Sequence, residues 1–112
     1  MKLIKAIIRP EKLDAVRNAL EAINYPGMTL ADVRGHGKQK GITRVWRGQE
    51  YKVDFLPKIK MEIVALDEDT PNIVEAISLN SKTGEPGDGK IFVLPVEDAV
   101  QVRTGEKGEG AI

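Results

Sequence analysis

A glycine-rich segment late in the chain has the composition best suited to binding a ligand. Three glycines and one proline fall within the nine residues from Ser81 to Gly89, and Lys90 follows directly. Closely spaced glycines allow backbone N–H groups to converge on an anion, and a lysine adds positive charge. This is not a Walker A phosphate loop, because Lys90 precedes Ile91 rather than serine or threonine. An anion-binding loop over residues 81–90 and an ordinary connection between a helix and a strand both fit this composition.

A second glycine cluster precedes a long polar segment. Gly35, Gly37 and Gly41 alternate with other residues there, and Gln39 lies among them. Two glycine loops at strand ends would converge on one ligand if the fold brought them together. Gln39 would offer a neutral oxygen to a metal-bound phosphate, and Lys58 a positive charge to a carboxylate or phosphate. A solvated position at a strand end is the more common arrangement for such a lysine, and we expect it for Lys58.

Residues suited to catalysis are sparse. The single histidine, His36, is a candidate phosphoryl acceptor or base. Because no aspartate stands in an evident local arrangement with it, we expect a structural or exposed side chain. The sequence shows neither a Ser-His-Asp pattern nor the spacing of metal ligands. A phosphoryl-transfer enzyme is therefore an alternative that rests on His36 alone.

Positive charge is concentrated between Arg34 and Lys60. This segment holds eight lysines or arginines against two acidic residues, although the 112-residue chain has zero formal charge. Trp46, Arg47 and Tyr51 lie within it. A nucleic-acid-binding module is a second alternative, but the aromatic content is only 4%, and the strand near the C-terminus lacks an RNP1 motif. We expect a protein-binding tip, because these three residue types dominate binding energy at interfaces.

Apolar periodicity defines the elements that would position these residues. Helical spacing begins at Pro10, and again after Asp69 or Thr70 as the cap, with Pro71 in the first turn. The order β-α-β, long loop, β-α-β predicts an α+β fold of the ferredoxin-like split βαβ type, with an antiparallel sheet and two helices on one face. The predicted strands are 2–9, 28–34, 58–65, 90–94 and, at an edge, 99–103.

The long loop lies between the second and third of these strands. Residues 36–56 show neither a helical nor an alternating apolar period, so we predict a flexible loop that binds a partner. The length fits a single domain over residues 1–112, with a C-terminal tail over 104–112. Apolar residues predicted on the second face of the sheet, such as Ile7, favour self-association.

Composition also bears on the compartment. The sequence contains no cysteine, and no apolar stretch approaches the length of a signal peptide core or a membrane span. We therefore expect a soluble, cytoplasmic protein.

Six short motifs form a specific combination. They are Ile7-Ile8-Arg9-Pro10-x-Lys12-Leu13, Gly27-Met28-Thr29, Gly35-x-Gly37-x-Gln39-Lys40-Gly41, Arg47-Gly48-x-Glu50-Tyr51-x-Val53-Asp54-Phe55-Leu56-Pro57-Lys58, Thr83-Gly84-x-x-Gly87-Asp88-Gly89-Lys90-Ile91-Phe92-Val93 and Arg103-Thr104-Gly105-Glu106. Together they resemble the PII family of nitrogen-regulatory signal proteins over essentially the whole chain. The resemblance implies a non-enzymatic homotrimer of ferredoxin-like subunits, with a nucleotide site between neighbours where ATP and ADP compete.

The resemblance also implies ligand-binding residues. Thr29, Glu62 and Val64 would lie beside adenine, and Arg103 would reach in from the next subunit. The implied nucleotide-binding set is Ile7, Thr29, Gly35, Gly37, Lys38, Glu62, Val64, Gly87, Asp88, Gly89, Lys90, Gln101 and Arg103. The implied 2-oxoglutarate-binding set is Gln39, Lys40, Gly41, Lys58 and Gly87, with Gln39 also holding Mg²⁺ beside the ATP phosphates.

The same resemblance makes residues 36–56 the partner-binding loop. The implied partners are Amt-type ammonium channels or enzymes and regulators of nitrogen metabolism. Arg47 matches the residue that plugs a channel, Trp46 would contact the partner beside it, and Tyr51 matches a uridylylation site. A ligand at the root of the loop that fixes one loop conformation would change partner affinity through its differential binding.

The chain departs from the family pattern at two places. Gln101 stands where members commonly have an arginine, and Glu85-Pro86 replaces a pair that is more often basic and aliphatic. A hydrogen bond to a charged group contributes roughly 1.5 to 3 kcal/mol, so its loss would weaken nucleotide binding about tenfold to a hundredfold. A variant with altered ligand sensing and a different partner is therefore an alternative.

Overall fold

The computed structural model describes residues 1–25, 27–37 and 42–112, and at Ile42 and 51–53 it describes the backbone only. In chain order the elements are β1 (Lys2–Ile8), α1 (Leu13–Ala22), β2 (Thr29–Gly35), β3 (Ile42–Trp46), β4 (Gln49–Val53), β5 (Leu56–Ala65), α2 (Thr70–Ser81) and β6 (Gly89–Pro95). Within the described residues, four strands form an antiparallel sheet in the spatial order β2-β5-β1-β6.

One face of this sheet carries the core. Apolar side chains at alternate positions of β1 and β5 point to it, and α1 and α2 cover them, which confirms the predicted ferredoxin-like arrangement. The core cluster consists of Ile4, Ala6, Ile8, Val16, Leu20, Ile59, Met61, Ile63, Ala65, Ile73 and Ile77. In the described part of the chain, neither helix is long and apolar enough to cross a membrane.

The start of α2 is tied to the chain that follows α1. The helix begins at Thr70 with Pro71 in its first turn, as predicted. Asp69 occupies the N-cap position, but its side chain makes no capping bond. Its carboxylate instead accepts a hydrogen bond from the Tyr25 hydroxyl. Burial, together with this bond to Asp69, raises the pKa of Tyr25 to about 12.

The segment between β2 and β5 contains a hairpin. β3 and β4 pair from Ile42 with Val53 to Trp46 with Gln49, and Arg47-Gly48 forms the turn. The turn residues have φ angles of 50° and 75°, as a tight type I′ hairpin requires. The prediction of irregular structure is wrong for residues 42–53. The described side chains of this ribbon, at residues 43–50, are all exposed, so the sequence there need not alternate between apolar and polar residues.

The predicted edge strand over 99–103 is also wrong. The chain makes a turn there, with an isolated bridge between Val100 and Lys107. The N–H of Gln101 donates to the Glu106 carbonyl and the N–H of Gly105 donates to the Gln101 carbonyl, each at 2.8 Å. Gly105 has a φ of 74°, which lets the backbone reverse where a strand would continue straight. The predicted tail over 104–112 includes a short 3₁₀ helix, Gly108–Ala111.

Candidate ligand-binding site

The two predicted glycine segments meet on the open face of the sheet, the face opposite the helices. Together with the ends of β1 and β5 they form a cleft of about 480 Å³. This volume lies within the range of roughly 300 to 1,000 Å³ that is usual for small-molecule sites. Of the residues that the family resemblance implied for nucleotide, the cleft brings together Ile7, Gly35, Gly37, Gly87, Asp88, Gly89 and Lys90.

Gly89 marks a very close approach of two strands at the wall of the cleft. It has a φ of 106°, and a Cβ at this position would lie 1.7 Å from the Ile7 carbonyl oxygen. Only glycine fits such a position. Gly84 and Gly87 also have positive φ angles, 90° and 100°. The loop geometry therefore requires these glycines for backbone reasons, whether or not the loop also binds an anion.

Asp88 anchors this glycine-rich loop. Its carboxylate accepts hydrogen bonds from Arg9 Nε at 3.0 Å, from the N–H groups of Thr83 and Gly84 at 2.8 Å each, and from the Thr83 hydroxyl. The bonds from Thr83 first, and then those from Arg9 and Gly84, hold the pKa of Asp88 well below its usual range. Arg9 also donates from Nη2 to the Pro86 carbonyl at 2.9 Å. The end of β1 thus holds the loop in place through Arg9.

Lys58 is buried and lines the cleft. Only 8% of its surface is exposed, and its ammonium donates to the Gly87 carbonyl at 2.6 Å. Burial, and then the charge of Arg9, lower the pKa of Lys58. The prediction of a solvated lysine is therefore wrong. The stem of the side chain packs beside Gly35, and the glycine-rich loop covers its ammonium, so little of the residue reaches water. A buried ammonium is stabilised by an anion, which suits a carboxylate or phosphate ligand.

A second concavity, of about 430 Å³, lies further along β5. Thr29, Glu62 and Val64 line it, and Thr29 pairs with Glu62 between β2 and β5. Lys58 and Glu62 are four residues apart on one strand and point to the same face. At about 3.3 Å per residue, the two sites are roughly 13 Å apart along the strand. The residues implied for adenine are thus separate from the glycine loops but share their face of the sheet.

Gln101 and Arg103 lie in the C-terminal turn. In the part of the chain that the structure describes, neither lines the cleft or the second concavity. The side-chain oxygen of Gln101 accepts a hydrogen bond from the Thr104 hydroxyl at 2.7 Å, and Arg103 is exposed. The implied contact of Arg103 with a neighbouring subunit stays a prediction. Four residues implied for ligand binding lie outside the described residues: Lys38, Gln39, Lys40 and Gly41.

His36 lines the cleft, and among the described residues it makes no hydrogen bond or ion pair with a carboxylate that would make it a base. It is exposed, and its ring centre lies 5.4 Å from that of Phe55. Among the described residues, no group of His, Asp or Glu side chains is arranged to hold a metal ion.

The hairpin turn presents an aromatic and a cationic side chain together. Trp46 is 60% exposed, and the Arg47 guanidinium lies 4.2 Å from its ring centre, a cation–π contact. The backbone of Tyr51 pairs with Arg44 in the hairpin, and its side chain lies outside the description.

Comparison with known proteins identifies the family. A family model described as "Nitrogen regulatory protein P-II" matches residues 1–106. The chain belongs to the P-II family of nitrogen regulatory proteins. The P-II protein of Pasteurella multocida is 55% identical over 112 residues, and the alignment covers all of both chains. The P-II protein of Haemophilus influenzae is 54% identical with the same coverage. The "Nitrogen regulatory protein P-II 2" of Methanothermobacter thermautotrophicus is 54% identical over all of this chain and 97% of its own.

Two positioning residues of this P-II chain, Arg9 and Thr83, were missed as site residues by sequence reasoning. Arg9 and its partner Asp88 are 79 residues apart, so no local pattern connects them. Both Arg9 and Thr83 stand inside motifs that carry the P-II resemblance. Their place in those motifs was the available signal.

Proposed function

We propose that this P-II protein binds ATP and ADP in competition, binds 2-oxoglutarate together with Mg-ATP, and transmits the ligand state to a protein partner through the hairpin. The cleft carries this proposal. The residues that lead into the hairpin, Gly35 to Gly37, form one part of its lining, and the loop over 85–90 forms another. Lys58 lies between them with a buried charge. A ligand that binds here contacts the root of the hairpin directly.

The open face of the sheet suits an elongated ligand with an apolar end and an anionic end. Lys58 and Lys90 offer positive charge in the cleft. Roughly 13 Å along β5, Val64 offers an apolar surface and Glu62 a hydrogen-bond acceptor. We therefore assign the phosphates to the cleft and the base to the second concavity.

Lys58 is the residue we assign to 2-oxoglutarate. Its ammonium already donates to the Gly87 carbonyl, so a ligand carboxylate would share or replace that bond. Asp88 is engaged by Arg9, Thr83 and Gly84, and we assign it to shaping the loop rather than to metal binding. Mg²⁺ would be held mainly by the ligand phosphates, with Gln39, and would screen the negative charge of the two ligands from each other.

The hairpin is the element we assign to partner binding. Trp46 and Arg47 form an exposed stacked pair at its turn, and such residues dominate energy at interfaces. The proposed partner is an Amt-type ammonium channel or an enzyme or regulator of nitrogen metabolism. Uridylylation of Tyr51 would add bulk and negative charge to this element and oppose docking.

We further propose that the protein is a homotrimer. The open face of the sheet carries exposed apolar side chains outside the cleft, among them Val64 and Leu94, which are 37% and 40% exposed. Phe92, at the cleft, is 49% exposed. Contact with neighbouring subunits would remove this apolar surface from water.

Calorimetric titration tests the ligand assignments. Wild-type protein titrated with ATP and ADP should bind each, and each should displace the other. Heat from 2-oxoglutarate should appear only when Mg²⁺ and ATP are both present. Failure of the wild type to bind any nucleotide would contradict the proposal.

Variants of a buried and an exposed cation locate the site. Lys58→Met keeps the apolar stem and removes the ammonium, so 2-oxoglutarate should bind about tenfold to a hundredfold more weakly. Arg17→Gln removes an exposed charge on α1, away from the cleft, and should change neither ligand. Equal effects of the two variants would show that Lys58 does not contact the ligand.

A further inference from the structure

Residue Ile112 contributes to the second concavity. It lines this site together with Leu3, Met28 and the residues already described, Thr29, Glu62 and Val64. Its surface is 47% exposed, so the remainder lies against the protein. The concavity is therefore built from β1, β2 and β5 on one side and from the C-terminal segment on the other.

The C-terminal segment places Ile112 there through specific contacts. The N–H of Gly108 donates to the Ala99 carbonyl at 2.9 Å and lies 3.2 Å from a side-chain oxygen of Asp98. The N–H of Ile112 donates to the Glu109 carbonyl at 3.3 Å, at the end of the 3₁₀ helix Gly108–Ala111. The position of Ile112 thus follows from a folded turn.

The lining of this concavity suits a planar heteroaromatic ring. Leu3, Met28, Val64 and Ile112 offer apolar surface, which favours contact with the faces of a ring. Glu62 provides a carboxylate that would accept hydrogen bonds from ring N–H or amino groups.

We propose that Ile112 is a specificity-determining residue of the nucleotide site, which packs against the base and leaves the phosphates untouched. The inference rests on the proposed function, because it takes the base to lie in this concavity. Lys58 and Lys90, which we assign to the phosphates, line the cleft and not this concavity. A change at Ile112 should therefore affect ligands with a base and spare those without one.

The test uses Ile112→Ala with a matched control. Leu79→Ala also shortens an exposed apolar side chain, one that is 68% exposed on α2 and lines neither site. Each variant and the wild type are titrated with Mg-ATP and, separately, with inorganic tripolyphosphate and Mg²⁺. For Ile112→Ala the Kd for ATP should rise about threefold to tenfold, because apolar contact with the base is lost. The Kd for tripolyphosphate should stay unchanged, and Leu79→Ala should match the wild type for both ligands. A second variant, Ile112→Val, should give a smaller loss of ATP affinity.

The outcomes separate this inference from the function on which it rests. If wild type and Ile112→Ala bind ATP equally, the inference is wrong while nucleotide binding stands. If Ile112→Ala weakens ATP and tripolyphosphate by the same factor, the residue does not act through the base and the inference is also wrong. If the wild type binds no nucleotide, the proposed function fails and the inference fails with it.

Discussion

Replacement of Gly89 by alanine should be among the most damaging single changes in the chain. The new Cβ would lie 1.7 Å from the carbonyl oxygen of Ile7 and 2.8 Å from its carbonyl carbon. Both atoms belong to the backbone of β1, so no side-chain rotation relieves the clash. The two strands would have to separate where Gly89 pairs with Ile8, a core residue that is only 1% exposed.

The expected magnitude follows from two costs. A non-glycine residue at a φ of 106° is strained by about 1 to 3 kcal/mol. Separation of the strands weakens at least one buried hydrogen bond, at a cost of about 1 to 3 kcal/mol. The two costs together should lower the free energy of unfolding by about 2 to 6 kcal/mol, which is a substantial part of the stability of a typical domain.

Two other glycines provide matched controls. Gly84 has a φ of 90° but no neighbour within 4 Å of its Cβ position, so Gly84→Ala should cost only the backbone strain. Gly27 has neither feature, and Gly27→Ala should change stability by less than about 1 kcal/mol. The assay is urea unfolding followed by circular dichroism at one protein concentration. A loss for Gly89→Ala no larger than that for Gly84→Ala would refute the steric argument.

Three further predictions concern individual residues. Because the folded-state pKa of Asp88 is depressed, its carboxylate stabilises the fold fully above its ordinary pKa of 3.8 and loses that effect as pH falls through the folded-state value. Scanning calorimetry should therefore show that Asp88→Asn lowers the Tm at pH 7 and lowers it less in acid. A difference in Tm from the wild type that does not change with pH would contradict this. The pKa of Tyr25 is raised from 10.0 to about 12, so its bond to Asp69 stabilises the fold below pH 10 and is lost as pH rises through 12. In denaturant titrations, Tyr25→Phe should lower the free energy of unfolding by about 1 to 2 kcal/mol at pH 7 and by less above pH 10. A loss of the same size at both pH values would contradict this assignment. Within the described residues Gln101 lines neither concavity of its own chain, so it would act on a neighbouring subunit's site in the proposed trimer. There Gln101→Arg should tighten ATP binding about tenfold to a hundredfold in calorimetry, whereas equal affinity in both proteins would show that Gln101 does not weaken the site.

The main framework was predictable because its sequence signals come from burial. Ile4, Ala6 and Ile8 are all buried on one face of β1, and the same alternation from Ile59 to Ala65 defines β5. Such periods follow directly from which face packs on the helices.

The hairpin and the C-terminal turn were not predictable in this way. Residues 42–53 pair with each other as a separate hairpin, and the described side chains at 43–50 are all exposed, so burial imposes no period there. The C-terminal turn depends on positive φ at Gly105 and on bonds of Gln101, which a pattern of alternate residues does not reveal.

Part of the candidate site was predictable from the sequence, but most of its contacts were not. The family motifs pointed to Lys58, Asp88 and the glycine loops, which the structure brings to one cleft. The burial of Lys58 against the Gly87 carbonyl and the ion pair of Arg9 with Asp88 depend on how distant segments fold together. Neither contact leaves a signal in local composition.

Tryptophan fluorescence tests the central claim most directly, that ligand in the cleft sets the state of the hairpin. Trp46 is the single tryptophan in the sequence and lies at the hairpin turn with 60% of its surface exposed. We predict that 2-oxoglutarate, added in the presence of Mg-ATP, changes the emission or anisotropy of Trp46, and that Lys58→Met abolishes this change. If calorimetry shows 2-oxoglutarate bound to the wild type while the Trp46 signal stays constant, the cleft does not control the hairpin and the account is wrong.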